Sequence, residues 1–354
     1  MKVLFVVPFP LGKAASQRYR VEQFLPFLQK RGIKYKVAPF WDASTWTVLY
    51  KKGHFLRKAT GVFDGFLRRA LLLLQLPSYN YVFIHREATP VGPPWFEWIA
   101  AKVFRKKLIY DFDDAIWLNN TSDENKSVTR YKWQHKTEKI CRWSYKVSVG
   151  NNFLKEYAQQ FNQQVVLLPS AVDLINKYNK LKNQQVERIT VGWIGSHSTL
   201  PYLKLIEPAL QRLEKKHDFD FIVIADRSPE LRIDSMVFVP WNQETEVDGL
   251  LRFSIGVMPL PDTEWARGKC AFKAIQYMAL GIPAIVSAVG ANTEAVLNGE
   301  TGYTCTTEQE WYESLERLLT DPDLRAKQGE AGRAQVEERY ALQAYEQTFV
   351  SLFS

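Results

Sequence analysis

Short apolar runs bounded by turn residues alternate along this chain with longer stretches whose apolar positions recur every three to four residues, as buried strands and amphipathic helices do. Runs at 2–7, 35–39, 81–85, 107–111, 146–149 and 165–168 read as strands in the first half. Runs at 190–194, 220–225, 236–239, 255–258 and 283–287 repeat the pattern in the second. Beyond 307 the chain reads as helix to its end, broken at "TDPD" and again near 340–342. Such alternation builds mostly parallel sheets with helices on their faces, so two doubly wound α/β domains are expected. The polar, glycine-poor segment 177–188 reads as the linker between a first domain, 1–176, and a second, 189–335.

Two helical patterns carry charge in an unusual place. In "RGKCAFKAIQYMALGIP" the 3.6-residue period puts Lys269, Lys273 and Gln276 on one face, with Phe272, Ile275 and Ala279 on another. Two ammonium groups at i and i+4 repel by about 0.2–0.5 kcal/mol on an exposed helix. Either solvent or a bound anion relieves that repulsion. The segment 51–76 places Phe55, Val62, Phe63, Phe66, Ala70 and Leu73 on one helical side, with Arg57, Lys58, Arg68 and Arg69 elsewhere. A basic amphipathic helix of this kind either lies on an anionic membrane or faces a core with basic flanks. Gly61 and Gly65 argue against one continuous helix.

In open α/β sheets ligands gather beyond the carboxyl ends of the strands, so the loops after strands hold the candidate chemistry. After 190–194 comes "GSHST", where Gly195 permits close backbone approach and Ser196 precedes helix amides that can meet a phosphate. A plain turn capped by Ser198 or Thr199 is the alternative. After 2–7, "FPLGKAASQRYR" offers Gly12 for close approach and Arg18 and Arg20 for a phosphate, unless Ser16 caps a helix with surface arginines. His85 and the run Asp111 to Asp114 end two neighbouring strands.

The chain has 354 residues and a net charge of +8, which points to an anionic partner. Its basic residues are dispersed and no nucleic-acid motif appears, so a phosphorylated small molecule or a phospholipid surface is the better expectation. No apolar run approaches the roughly 20 residues that span a bilayer. The apolar start, interrupted by prolines, reads as an uncleaved first strand rather than a signal peptide. Three cysteines, odd in number and far apart, imply reduced thiols, a cytoplasmic site and no structural zinc.

Four segments in order carry a resemblance: "LLPSAVDLINKY" at 167–178, "FIVIADRSPEL" at 221–231, "VFVPWNQETEVDGLLRFSIGVMPLP" at 237–261 and "QYMALGIPAIVSAVGANTEAVLNGETGY" at 276–303. Together they resemble the family 4 nucleotide-sugar glycosyltransferases. The resemblance implies the GT-B fold, two Rossmann-like domains facing a central cleft, with the C-terminal helix 336–354 returning to the first. It further implies transfer of a hexose from a nucleoside diphosphate sugar to a glycan or lipid-linked acceptor in cell-envelope or extracellular polysaccharide synthesis, with retention of configuration and without a metal. The family's glutamate pair falls at Gly268 and Gln276, so the contact to the transferred sugar is lost while Gln276 can still hold a ribose. By the same resemblance, Gly195, Ser196, Lys269 and Lys273 would meet the diphosphate, and Trp241 would stack on the base. Asp113 would lie near the transferred sugar, where the family often has a histidine, and Gly12, Arg18 and Arg20 at the acceptor; His85, at its strand end, either reaches the cleft as a catalytic residue or is packed there. The expected location is cytoplasmic, with a peripheral position at the inner face of the membrane open. A sugar-nucleotide epimerase of the same fold, and a catalytically silent sugar-nucleotide-binding or membrane-associated partner protein, are the alternative readings.

Overall fold

The computed structural model describes residues 1–51, 53–118, 133 and 135–354. Lys52 of the basic segment lies outside the described residues. The chain divides into two compact units: residues 1–170 with 345–354, and residues 171–344.

The first unit is built on β1 (Lys2–Val7), β2 (Lys34–Pro39), β3 (Tyr81–His85), β4 (Lys107–Phe112), β5 (Lys146–Val149) and β6 (Val165–Leu167), in the order β2-β1-β3-β4-β5-β6. Its described pairings are all parallel. The second unit contains β7 (Ile189–Ile194), β8 (Phe219–Ala225), β9 (Met236–Pro240), β10 (Ile255–Met258), β11 (Ala284–Ser287) and β12 (Gly302–Cys305), in the order β12-β11-β10-β7-β8-β9, again parallel. The expected strands are present. Edge strand β12 was not legible, because its "GYTC" is only partly buried and makes no apolar run. Chain direction across the sheet reverses between β1 and β3 in the first unit and between β7 and β10 in the second. Ligands of doubly wound sheets collect at such points.

Segment 177–188 belongs to the second unit and is docked on it. Lys177 pairs with Glu246 at 2.6 Å and Lys180 with Asp248 at 3.0 Å, while the Lys182 amide donates to the Leu280 carbonyl at 2.7 Å. Its polar side chains are anchors. The terminal segment divides as well: helix Pro322–Arg339 stays in the second unit, and helix Glu346–Ser351 completes the core of the first. There Phe349 stacks on Phe24 with ring centres 4.4 Å apart, and Phe353 meets Phe5 edge-on at 6.0 Å.

Segment 51–76 departs from expectation. Phe55–Leu73 is one helix despite its two glycines. A Cβ on Gly61 would lie 2.4 Å from the Thr45 methyl, and one on Gly65 would lie 2.4 Å from the Phe40 ring. The glycines let the helix settle on these side chains, and that packing outweighs their helix-propensity cost of about 1 kcal/mol each. Which side faces inward also differs. Gly61, Gly65, Arg69 and Leu72 are buried, whereas Phe55, Phe63 and Ala70 of the expected apolar side are exposed. Arg69 is no surface cation: its guanidinium donates to the carbonyls of Val7 at 2.8 Å, Ala38 at 3.0 Å and Ala88 at 2.8 Å, tying together the ends of β1, β2 and the loop after β3.

Candidate active site

At the reversal point of the second unit, β7 ends in Ile194 and the chain turns at Gly195, whose amide donates to the Ile224 carbonyl at 3.0 Å. A Cβ on Gly195 would sit 2.3 Å from the Trp193 ring and 3.0 Å from Lys273 Cε. The glycine is therefore needed so that a buried indole and a lysine stem can pass the loop. Lys273 Nζ stands 5.6 Å from the Trp193 ring centre, a cation over an aromatic face. Ser196 is exposed and shares a hydrogen bond with Ser198, Oγ to Oγ 2.9 Å. Beyond it the chain forms a 3-10 turn, Leu200–Leu205, rather than an α-helix. Thr199 holds the capping position, yet its hydroxyl bonds back to the Ser196 carbonyl at 3.1 Å and makes no side-chain cap. His197, which sequence reasoning passed over, is tied to Asp226 through its ring and its amide.

Lys269 and Lys273 do not share a helix. The helix is Phe272–Ala279, entered through Ala271 in the left-handed region at φ 52°, and Lys269 lies in the turn after the short helix Glu264–Arg267. The expected neighbouring pair is thus broken. Lys269 Nζ stands 5.3 Å from the Trp265 ring centre. Both lysines are half-buried over indoles, and each is drawn to its ring's negative face. Gly268, at the position of the first family glutamate, is buried and ends the short helix.

Gln276 and Trp241 come together around a residue not foreseen, Glu246. Gln276 is 4% exposed; its Nε2 donates to the Tyr178 hydroxyl at 2.6 Å and reaches Glu246 Oε1 at 3.5 Å. Trp241 Nε1 donates to Glu246 Oε2 at 3.1 Å, and Lys177 closes the charge balance at 2.6 Å. Glu246 opens helix Glu246–Leu250, where the helix dipole favours a carboxylate. Its position five residues after Trp241 was the available signal.

The first unit gathers its polar residues at the ends of β1, β3 and β4. Asp111 is fully buried between Arg20 and His85: Arg20 Nη2 donates to Oδ1, Arg20 Nε to Oδ2 at 3.3 Å, and His85 Nδ1 donates to Oδ2 at 2.8 Å. In the neutral imidazole, Nε2 accepts from the Ser16 hydroxyl at 2.9 Å. A serine, a histidine and a carboxylate thus stand in line, the order in which a proton leaves a hydroxyl. Burial opposes ionisation of Asp111, but Arg20 foremost and then His85 hold its carboxyl below the usual range. Arg20 also bonds Ser148 at 3.1 Å and the Leu168 carbonyl. Being buried and spent on these acceptors, it is not an acceptor-phosphate ligand as expected.

Asp113 lies beside this line and is bound to Arg86, Nε to Oδ1 2.9 Å and Nη2 to Oδ1 2.7 Å, while the same Nη2 reaches Asp114 at 2.5 Å. Against burial, Arg86 and then His85, Arg20 and the Ser16 hydroxyl hold the Asp113 carboxyl well below its ordinary range. Arg86 has φ 60°, a strained left-handed backbone whose carbonyl accepts from the Tyr110 hydroxyl at 2.8 Å. At Gly12, φ 74° favours a glycine, no described residue lies within 4 Å of its Cβ direction, and its amide donates to Glu22 at 2.9 Å. Arg18 is half-buried, its guanidinium 5.2 Å from the Tyr19 ring centre.

Residues 188–321 match the family described as "Glycosyl transferases group 1". Over 198 residues the chain is 24% identical to the capsular polysaccharide biosynthesis glycosyltransferase CapM of Staphylococcus aureus, covering 51% of this chain and 49% of that protein. The chain thus spans about half the length of the curated relative it matches. Among solved structures, HepE of Anabaena in complex with UDP-glucose is similar with a TM-score of 0.69 at 15% identity, over 99% of this chain and 98% of that one. A glycosyltransferase from Rickettsia africae gives 0.69 at 15%, over 99% and 97%. These likenesses show the fold, two Rossmann-like units of the GT-B class, and residues 188–321 are similar to the group 1 glycosyl transferases.

Proposed function

We propose that the chain is a retaining glycosyltransferase that moves a hexose from a nucleoside diphosphate sugar to an acceptor in cell-envelope or extracellular polysaccharide synthesis. The observation that carries this reading is the reversal point of the second sheet, where Lys273 is held over Trp193 beside Gly195, with Lys269 in the turn ahead of the same helix. When the bond between the sugar's anomeric carbon and the phosphate oxygen breaks, negative charge grows on the departing diphosphate. Two preorganised ammonium groups and the Ser196 amide meet that charge as it develops, the expected Gly195 amide being spent on the Ile224 carbonyl. The acceptor hydroxyl forms the new bond on the same face and gives up its proton, which the departing diphosphate can accept. Asp111, Asp113 and Asp114 are engaged with Arg20 and Arg86, so charge stabilisation is assigned to lysines and amides, without a metal.

A UDP-hexose is the first donor to test, because HepE was solved with UDP-glucose. Titration calorimetry with UDP-glucose should show binding that weakens at least about tenfold, or 1.4 kcal/mol, when Lys269 and Lys273 are both replaced by Ala. Equal dissociation constants would reject the diphosphate role. Turnover should survive EDTA. The buried Gly268, in place of a side chain that would touch the sugar, supports a second reading, a silent sugar-nucleotide binder. Binding without turnover on any acceptor favours that one.

The same reading puts the enzyme at an anionic membrane surface. Among the described residues no helix is long and apolar enough to cross a membrane. Helix Phe55–Leu73, however, turns Leu56, Phe63, Leu67 and Leu71 outward, flanked by Arg57, Lys58 and Arg68. Each basic residue at an anionic leaflet contributes about 1 kcal/mol, and the exposed apolar face adds to it.

A further inference from the structure

In the first unit, helix Phe55–Leu73 links β2 to β3, helix Trp95–Trp98 with its π-helical continuation Ile99–Val103 links β3 to β4, and helix Lys136–Trp143 precedes β5. Each step moves the same way across the sheet. Connections between parallel strands are right-handed, so these helices lie on one sheet face. The outer side of that face is apolar well beyond the first helix: Leu74 is 79% exposed, Val103 58% and Trp98 47%. Phe66 stacks on Trp95 with ring centres 6.3 Å apart, which joins the first helix to the second. Between the second and third opens a groove of about 310 Å³, walled by Trp95, Trp98, Trp133, Trp143 and Pro94, with Lys139 beside them. Lys139 Nζ stands 5.5 Å from the Trp133 ring centre, and Lys102 is exposed on the adjoining helix.

We propose that this groove takes the hydrocarbon chain of an anionic phospholipid when the protein is docked on a membrane; the inference rests on the membrane reading above. Indole walls alone would also suit a sugar ring. A sugar, however, carries hydroxyls on every side, and among the described residues the lining offers Lys139 and indole N–H groups as donors, with no carboxylate, amide or hydroxyl side chain. Hydroxyls buried there would lose water without replacement, whereas a hydrocarbon chain loses nothing. Tryptophan prefers the depth at which headgroups give way to chains, and Lys139 and Lys102 match a phosphate at that level. The groove also adjoins helix Phe55–Leu73, whose Phe66 stacks on the groove wall Trp95.

The test uses the full chain and vesicles of phosphatidylglycerol in phosphatidylcholine whose acyl chains carry bromine, a contact quencher of indole fluorescence. The parent should bind and be quenched. Trp98→Ser and Trp143→Ser should each retain parental melting temperature and UDP-glucose affinity, lose part of the quenching, and bind vesicles about tenfold more weakly. A parent that binds vesicles without quenching, or is quenched equally in both variants, overturns the groove while leaving the membrane reading intact. Failure of the parent to bind the vesicles overturns both, and donor binding is then judged on its own titration. Soluble oligosaccharide that displaces the vesicles and changes indole fluorescence would make the groove a sugar platform and also overturn the proposal. Because the quenching of the parent needs no substitution, a variant that misfolds does not remove the test.

Discussion

Gln276 Nε2 lies 3.5 Å from Glu246 Oε1, both residues buried and both in contact with the Tyr178 hydroxyl. The family's second glutamate falls at position 276, and here a carboxylate enters the same cluster from a different element, the start of helix Glu246–Leu250. A glutamate at both positions would set two carboxylates against each other out of water. Gln276→Glu alone should therefore cost on the order of 2 kcal/mol or more, while the exchange Gln276→Glu with Glu246→Gln should recover over half of that loss. Urea midpoints of the parent, the single variants and the exchange check it. A single Gln276→Glu variant as stable as the parent would show that the two groups do not share one charge.

Gly195→Ala tests whether the turn after β7 is as tight as it stands. The added methyl would meet a 1% exposed Trp193 at 2.3 Å and the more yielding Lys273 stem at 3.0 Å. Overpacking of a fixed indole costs roughly 1–3 kcal/mol, and movement of Lys273 should weaken UDP-glucose binding as well. Calorimetry and melting on the same sample separate the two effects. A variant with parental affinity and stability would mean that the loop has room to spare.

Acid should loosen the first unit through Asp111 and Asp113. Both carboxyls are held below their ordinary range by Arg20 and Arg86, against the opposing effect of burial. In the unfolded chain an aspartate titrates near 3.9, so these groups bind protons more readily unfolded than folded. The stability they contribute is complete above about pH 4 and drains away as pH falls below it. Asp111→Asn leaves the buried Arg20 charge without its partner and should cost about 3–5 kcal/mol at neutral pH while flattening the acid limb. Urea melts from pH 3 to 7 measure both. An acid limb unchanged in the variant would place the titration elsewhere.

Most strands were legible, because a buried parallel strand leaves a run of apolar residues whatever surrounds it; β12, partly exposed at the sheet edge, left none. The site was legible only as positions. Gly195, His85 and Gln276 were identified from the ends of strands and from family motifs, but the partners that give them a role come from distant elements: Ser16 and Asp111 for His85, Tyr178 and Glu246 for Gln276. No spacing rule reports such pairs. The helical period failed at Lys269 because Ala271 adopts a left-handed backbone that nothing in an alanine announces. At Gly61 and Gly65, propensity argued for a break, whereas a side chain on another element, Phe40 or Thr45, decided for close packing.

The basic residues of helix Phe55–Leu73, which composition lumps together, separate into two kinds, and substitution should tell them apart. Arg69 is 1% exposed and donates to three backbone carbonyls, at the ends of β1 and β2 and in the loop after β3. Arg69→Met keeps the apolar stem but removes the side-chain donor from all three; the Val7 carbonyl still accepts from the Phe40 amide at 2.9 Å, so the cost is about 1–3 kcal/mol for each of the Ala38 and Ala88 carbonyls that water cannot reach. Arg57 points outward with a side chain 47% exposed beside Asp42, and Lys58 Nζ donates to the carbonyl of Lys51 at 2.6 Å. Exposed contacts of this kind contribute little, so Arg57→Gln with Lys58→Gln should leave the melting temperature nearly unchanged. If these two side chains face the leaflet, the double variant should give up about 2 kcal/mol of attachment to anionic vesicles, and the parent's own attachment should weaken as salt is raised. Co-sedimentation at low and high salt reads the second effect and calorimetric melting reads the first. A double variant that co-sediments like the parent would remove Arg57 and Lys58 from the membrane surface, and an Arg69→Met variant that melts like the parent would show that water reaches the carbonyls of Ala38 and Ala88.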